Sequence, residues 1–212
     1  MAARATATEK RQFLRAPARR AQLLEAAERL VEDEGVAALT MERLADRAGV
    51  SKPVVYYHFD NRSDVLRALL ETYWDEVDRE HDARTASATD FATYLRAATA
   101  AYFDTIARHG PAMRALLDEP LGDDHVEALR TKRHDGIRAA WSAALRRRSG
   151  ISRARADAAA AIALAALQAA CRHWFTTGAA RSAVEETYVE IVLAGAAHLS
   201  RDGWPEHLRS VH

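Results

Sequence analysis

Residues 40–59 read TMERLADRAGVSKPVVYYHF. The pattern predicts two short helices joined by a tight turn at Ala48, Gly49 and Val50. Thr40 stands where an N-cap belongs, its hydroxyl placed to accept from a backbone N–H two or three residues on. Leu44, Ala45 and Ala48 give the first helix its apolar stripe. Gly49 supplies the left-handed conformation that ends a helix without a Cβ penalty. Ser51 caps the second helix, and Pro53 sits in its first turn, where a missing N–H costs little. That helix carries Lys52, Tyr56, Tyr57 and His58, and Arg62 follows. A short helix held at an angle by a glycine turn fits the major groove of DNA.

Outward from this stretch the chain reads as all-α. Ala, Leu, Arg and Glu dominate, and apolar residues recur at spacings of three and four. A helix is predicted over 17–34, with Leu23, Leu24, Ala27, Leu30 and Val31 on one face and Gly35 at its end. The two short helices fall at 41–48 and 51–58. Asn61 or Ser63 caps a helix over 64–79, and the polar segment 81–88 reads as a connection. Further helices are predicted over 91–108, 112–118, 124–148, 152–177 and 182–200, punctuated by Gly110-Pro111, Pro120, Gly150 and Gly178. That gives about nine helices. The expected organisation is a disordered basic arm over 1–16, a helix-turn-helix domain over 17–62, and a larger helical domain over 63–212.

Composition narrows the function classes. At 212 residues the chain is long enough to bury roughly 70% of its unfolded surface. Formal net charge is zero, which argues against a generally basic nucleic-acid coat. The charge is uneven, however: residues 1–20 hold Arg4, Lys10, Arg11, Arg15, Arg19 and Arg20 against Glu9 alone. Such an arm either binds phosphate or is simply solvated. The single cysteine, Cys171, excludes an intramolecular disulfide. No signal-peptide pattern opens the chain, and Gln168 and Arg172 interrupt the apolar run 158–167 too soon for a membrane span. A cytoplasmic protein without a membrane partner is the expectation.

Residues 18–66 resemble the DNA-binding domain of the TetR family of bacterial transcriptional regulators. The matching positions are Leu23-Leu24, Ala26-Ala27 and Leu30; Gly35; Leu39-Thr40; Leu44-Ala45; Ala48-Gly49-Val50-Ser51; Tyr56-Tyr57-His58-Phe59; and Asn61-Arg62 before Val65-Leu66. The rest of the chain resembles the family only in the count and order of its helices. In this frame Leu44, Val50, Val55 and Phe59 bury against the first helix, and Ser51, Lys52, Val54, Tyr57 and His58 project towards DNA. Thr40 and Arg43 reach a phosphate, while Tyr56 and Arg62 clamp the backbone on either side of the groove. In the family the position of Arg62 is usually lysine; arginine keeps the charge and adds a fork suited to phosphate. Val54 offers a contact to a thymine methyl but no hydrogen bond, and Lys52 is the best candidate for reading a guanine.

The resemblance also implies a homodimer whose last two helices form a four-helix interface. Ala166, Ala169, Ala170 and His173 on the first of them and Val184, Tyr188, Ile191, Val192, Gly195 and Leu199 on the second are the candidate contacts. Small residues there let helix axes approach closely. Two-fold symmetry predicts an inverted-repeat operator on double-stranded DNA. A pocket for an unknown small effector, mainly apolar or aromatic, is expected among the helices of the larger domain. Its candidate lining is Trp74, Tyr94, Tyr102, Phe103, Met113, Leu117, Trp141, Leu164, Gln168, Cys171 and Phe175, with Gln168 and His173 as possible orienting groups. The implied mechanism is repression relieved when effector sets the two heads at the wrong separation, with the helix at 64–79 as the lever.

Two rival readings remain. A helical enzyme needs a motif such as paired Glu-x-x-His, and only a lone Asp-x-x-His at Asp78 and His81 is present. No catalytic residue, metal site or cofactor is therefore predicted. The other rival is a constitutive or architectural DNA-binding dimer without an effector.

Overall fold

The computed structural model describes residues 3–149 and 151–200. Among them are eight α-helices, a single 3-10 turn at Val36–Ala38, and no strand. The helices are α1 (Ala3–Glu34), α2 (Met41–Ala48), α3 (Lys52–His58), α4 (Arg62–Thr85), α5 (Phe91–Asp118), α6 (Asp124–Ser149), α7 (Arg153–Thr177) and α8 (Arg181–Ser200).

Three of these differ from the sequence expectation, each for a local reason. The arm expected to be disordered over 1–16 is helical from Ala3 and continuous with α1, through Pro17. Its Ala, Glu, Lys, Arg and Leu residues are strong helix formers. Helix α4 runs on through most of the expected connection. There Arg84 reaches Glu80 one turn back, at 3.3 Å, and the Thr85 hydroxyl donates to the His81 carbonyl, at 2.7 Å. The two helices expected either side of Gly110 are one kinked helix, α5. Gly110 sits at φ 51° and ψ −135°, outside helical space, and Pro111 restarts the helix directly.

The chain divides into two compact units. The first takes the chain up to Glu76 together with Ile106–Leu129; the second takes Val77–Thr105 and the residues from Arg130 onward. Thus α4 and α5 each contribute to both units; the sequence suggested a boundary near 60–80, running through a shared helix, and α4 divides at Glu76.

The first unit is built on α1. Leu23, Ala27, Leu30 and Val31 are buried on its inner face, with Val36 and Leu39 from the following turn. Leu44 and Ala45 of α2, Val55 of α3 and Phe59 close over them, and Val50 is half-buried. Val65, Leu66, Leu69, Leu70 and Tyr73 of α4 complete the core with Met113, Leu116, Leu121 and Val126. A fully buried Leu or Val contributes about 1.5–3 kcal/mol, so α2 and α3 are held chiefly by what they bury.

Arg62, the first residue of α4, ties this unit together. Its Nε donates to the Leu39 carbonyl at 2.8 Å, its Nη2 to the Val36 carbonyl at 3.0 Å, and its Nη1 to the Leu121 carbonyl at 2.9 Å. Asn61 caps the helix beside it, its Oδ1 accepting from the Asp64 amide at 3.0 Å. The Ser63 hydroxyl donates to Asp123, whose carboxyl is held below the usual range by that bond and by the Val126 amide.

In the second unit, Phe103 of α5 stacks on Trp174 of α7 with ring centroids 5.6 Å apart. The Arg181 guanidinium lies over both rings and pairs with Asp104 at 2.5 Å. Arg84 pairs with the same carboxylate. Burial pushes Asp104 up, but Arg181 and Arg84 outweigh it and hold the carboxyl below its usual range. Tyr188 of α8 is buried, and its hydroxyl donates to the Ala163 carbonyl of α7 at 3.2 Å.

Two substitutions test this architecture. Arg62→Lys keeps the charge but retains at most one of three carbonyl bonds, so it should destabilise the protein by about 3 kcal/mol in urea unfolding. Gly110→Ala meets only Glu32 Oε1, at 3.8 Å, so no clash arises. The backbone strain alone should cost about 1–3 kcal/mol in the same assay.

Candidate nucleic-acid interface

The segment 40–59 folds as its cap residues dictate. Thr40 is extended, at φ −128° and ψ 158°, and its Oγ1 accepts from the Arg43 amide at 3.2 Å. Gly49 ends α2 in the left-handed region, at φ 66° and ψ 36°, with its N–H directed at the Ala45 and Asp46 carbonyls. Ser51 occupies the N-cap position of α3, but its hydroxyl makes no capping bond. The reason is local: Pro53 has no N–H to offer, and the Val54 amide donates to the Ser51 carbonyl at 2.9 Å.

Burying Val55 and Phe59 turns the opposite face of α3 outward. Tyr57 is 78% exposed and Tyr56 53%, and Lys52 and Pro53 are exposed beside them. Val54 and His58 are half-buried. The imidazole of His58 lies edge-on to Tyr57, with centroids 5.0 Å apart. Burial lowers the His58 pKa, and Arg20 and Arg19 push it further down, so its neutral form is favoured. Arg20 stacks over the Phe59 ring at 4.9 Å. Arg19 and Arg20, read from sequence only as part of a basic arm, therefore border the C-terminal end of α3.

The cations of this surface are already paired. Lys52 Nζ lies 2.5 Å from Glu42, which raises the lysine pKa. Arg43 pairs with Glu34, and Arg47 pairs with Glu34 at 3.0 Å and with Asp33 at 2.5 Å. The hydrogen bond from Arg43 is the main reason that Glu34 sits below the usual carboxylate range.

Of the nine residues expected to face DNA, Thr40, Arg43, Ser51, Lys52, Tyr56 and Tyr57 share the exposed surface of α2 and α3, with Val54 and His58 at its edge. Arg62 does not join them. Its guanidinium lies among the three carbonyls described above, so the expected phosphate clamp is an internal strut.

The expected effector lining is split by the fold. Trp74, Met113 and Leu117 belong to the first unit, and the other eight residues to the second. Several are already engaged: Phe103 in its stack, Cys171 in the core, Tyr94 with His81 Nε2 at 2.9 Å, and Gln168 with His134 at 3.3 Å. A groove of about 450 Å³ lies in the first unit, lined by residues of α1 and α4 and by His109. None of the eleven expected residues lines it. Among the expected dimer contacts, Tyr188 faces inward, whereas Ala169, His173, Ile191 and Gly195 are exposed and Ala166, Ala170, Val184, Val192 and Leu199 are half-buried. Ile162 of α7, 70% exposed, was not among them.

Comparison with known proteins agrees with this geometry. Residues 23–69 match the family described as bacterial regulatory proteins, tetR family. The HTH-type transcriptional activator FasR of Mycolicibacterium smegmatis is 38% identical over 100 residues, which cover 47% of this chain and 46% of that protein. The HTH-type transcriptional regulator BetI of Paraburkholderia xenovorans is 31% identical over 128 residues, covering 58% of this chain and 64% of that protein. The chain thus spans about half the length of the curated relatives it matches. A TetR-like transcriptional regulator from Rhodococcus sp. RHA1 superposes with a TM-score of 0.71 at 17% identity, over 84% of this chain and 96% of that one. The fatty acid degradation regulator FadR of Bacillus halodurans superposes with a TM-score of 0.70 at 17% identity, over 84% and 95%. Residues 23–69 thus carry the signature of the tetR family of bacterial regulatory proteins, and the chain shares the all-helical fold of these solved regulators.

Proposed function

We propose that the protein is a cytoplasmic homodimer that inserts α3 into the major groove of an inverted-repeat operator and is released by a small, mainly apolar effector. The observation that carries the DNA-reading part is the face of α3. Two adjacent tyrosines and a lysine stand exposed on a seven-residue helix whose other side, Val55, is fully buried. A folded chain gains little by exposing two consecutive aromatic rings unless a partner covers them. Thr40, Arg43, Ser51, Lys52, Val54, Tyr56, Tyr57 and His58 form the proposed contact set. Lys52 is the base reader, and the arginines of α1 beside Phe59 extend the phosphate contacts.

The exposed apolar face of α7 and α8 supports a dimer. Ile162 is 70% and Ile191 64% exposed, and Ala158, Ala165 and Ala169 lie exposed along the same helix as Ile162. Helix α7 is long and apolar enough to cross a membrane by length and composition alone. Its Asp157, Gln168 and Arg172, and its packing on α8 through Tyr188, favour a helical partner over lipid. Repression is the direction we favour; the FasR relative is described as an activator, so a promoter-fusion assay decides the sign.

Selection of bound sequences from a random duplex pool should return an inverted repeat; no enrichment at all would refute the specific-regulator reading. On the selected duplex, Lys52→Ala and Tyr57→Ala should each lower affinity about tenfold or more, and log K should fall linearly with log salt. Ile162→Asp and Ile191→Asp should shift sedimentation from dimer to monomer without loss of helicity, because both side chains are exposed in the single chain.

A further inference from the structure

Glu28, Glu76 and His109 come from three helices and converge in the first unit. Nδ1 of His109 lies 2.8 Å from Glu28 Oε1 of α1, and Nε2 lies 2.6 Å from Glu76 Oε2 of α4. All three side chains are largely withdrawn from water, with 17% of the imidazole exposed. The Tyr73 ring covers it, with centroids 4.5 Å apart. A neutral imidazole has one N–H and one lone pair, whereas an ionised carboxylate only accepts. Neutral His109 therefore satisfies one glutamate and turns a lone pair on the other. Only the imidazolium donates to both.

We propose that His109 is a positioning residue for the DNA-binding head: its imidazolium clasps α1 and α4 to α5, and loss of one proton opens the clasp and weakens DNA binding. This rests on reading the first unit as that head. The location gives the clasp its leverage. Helix α1 backs the recognition segment through Leu23, Ala27 and Leu30, and α4 begins at the Arg62 strut. Gly110, where α5 leaves helical geometry, is the next residue along from His109.

The charged and titratable surroundings are Glu28 and Glu32 on α1, Tyr73 and Glu76 on α4, and Arg108 on α5. Arg108 pairs with Glu76 at 2.6 Å, and Arg20 and Glu25 line the same groove as His109. Burial pulls the His109 pKa down, but Glu76 and Glu28 more than offset it, leaving it above the ordinary histidine value. Burial pushes Glu76 up, and His109 and Arg108 bring it below its ordinary value. The histidine contribution to stability is thus complete below about pH 6.5 and fades as pH rises through the elevated value. The glutamate contribution fades in acid, as pH falls below about 4.5. The clasp is strongest in the mildly acidic range and opens on the alkaline side.

The test uses the full chain between pH 5.5 and 8.5 at fixed ionic strength. It follows thermal unfolding without DNA, and anisotropy of a labelled duplex taken from the selection described above. Across that range the wild type should lose at least about threefold more affinity than His109→Gln, and its melting temperature should fall more steeply. His109→Arg, cationic throughout, should flatten both profiles, and Glu28→Gln should reduce the wild-type slope. Nitrogen-resolved NMR of the wild-type imidazole should find both nitrogens protonated at pH 6.5 and deprotonation above the ordinary histidine range. Matching melting profiles for wild type and His109→Gln, or an ordinary or lowered histidine titration, would overturn the clasp while leaving the DNA-binding reading intact. A normal clasp in those DNA-free measurements with identical affinity profiles would overturn the positioning role. A wild type that binds no selected duplex would instead overturn the DNA-head reading beneath it.

Discussion

A single guanidinium gathers three backbone carbonyls beside the helix-turn-helix segment. The turn that feeds α2 is only three residues long, and its geometry leaves the carbonyls of Val36 and Leu39 pointing at the start of α4. The segment before α6 adds the Leu121 carbonyl. An arginine fork satisfies all three at once because its donors are fixed in one plane at different angles. A lysine ammonium is a point donor and cannot span them. Three backbone groups separated by up to 85 residues in sequence are thereby held at one point, which fixes the turn leading into α2, while burial holds α2 and α3 themselves.

The surface so positioned is neither naked nor strongly charged. Lys52, Arg43 and Arg47 each face a carboxylate, and net charge over the whole chain is zero. Exposed pairs of this kind contribute little to folding and are weakened by salt. A phosphate backbone presents a much denser line of charge than any single glutamate, so it competes well for the same cations. On the proposed reading, such pairing would disfavour loose electrostatic adhesion and leave more of the discrimination to shape and groove contacts.

What could be read from the sequence follows the range of the interactions involved. Thr40, Gly49 and Asn61 act on backbone groups within a few residues, so their roles were legible in the order of letters. The alternation of buried Val55 and Phe59 with exposed Tyr56 and Tyr57 was legible for the same reason. Ser51 shows the limit: Pro53 offers no N–H, and the Val54 amide donates to the Ser51 carbonyl and not to its hydroxyl. Arg62 was misread because its partners lie 23, 26 and 59 residues away, and a basic residue beside a recognition helix invites a phosphate. Phe103 and Cys171 were candidates for an effector lining because an aromatic or small apolar residue at helical spacing has the same signature in a core and in a pocket. Nothing local links Glu28, Glu76 and His109, so their meeting could not be foreseen from spacing.

The two shared helices carry the consequence for regulation. Helices α4 and α5 each contribute residues to both compact units. Each helix is fixed by polar contacts within the unit it enters: Arg62 and the His109 pair in the first, Arg84 and Asp104 beneath Arg181 in the second. Contacts of this sort are made or broken as whole hydrogen bonds and do not stretch continuously, so they favour discrete states over gradual bending. The effector proposed above would have to bind two such states unequally to act. In the proposed clasp at His109 that inequality is a single proton: its gain or loss decides whether both glutamates or only one is satisfied, and with it how firmly α1 and α4 are held to α5.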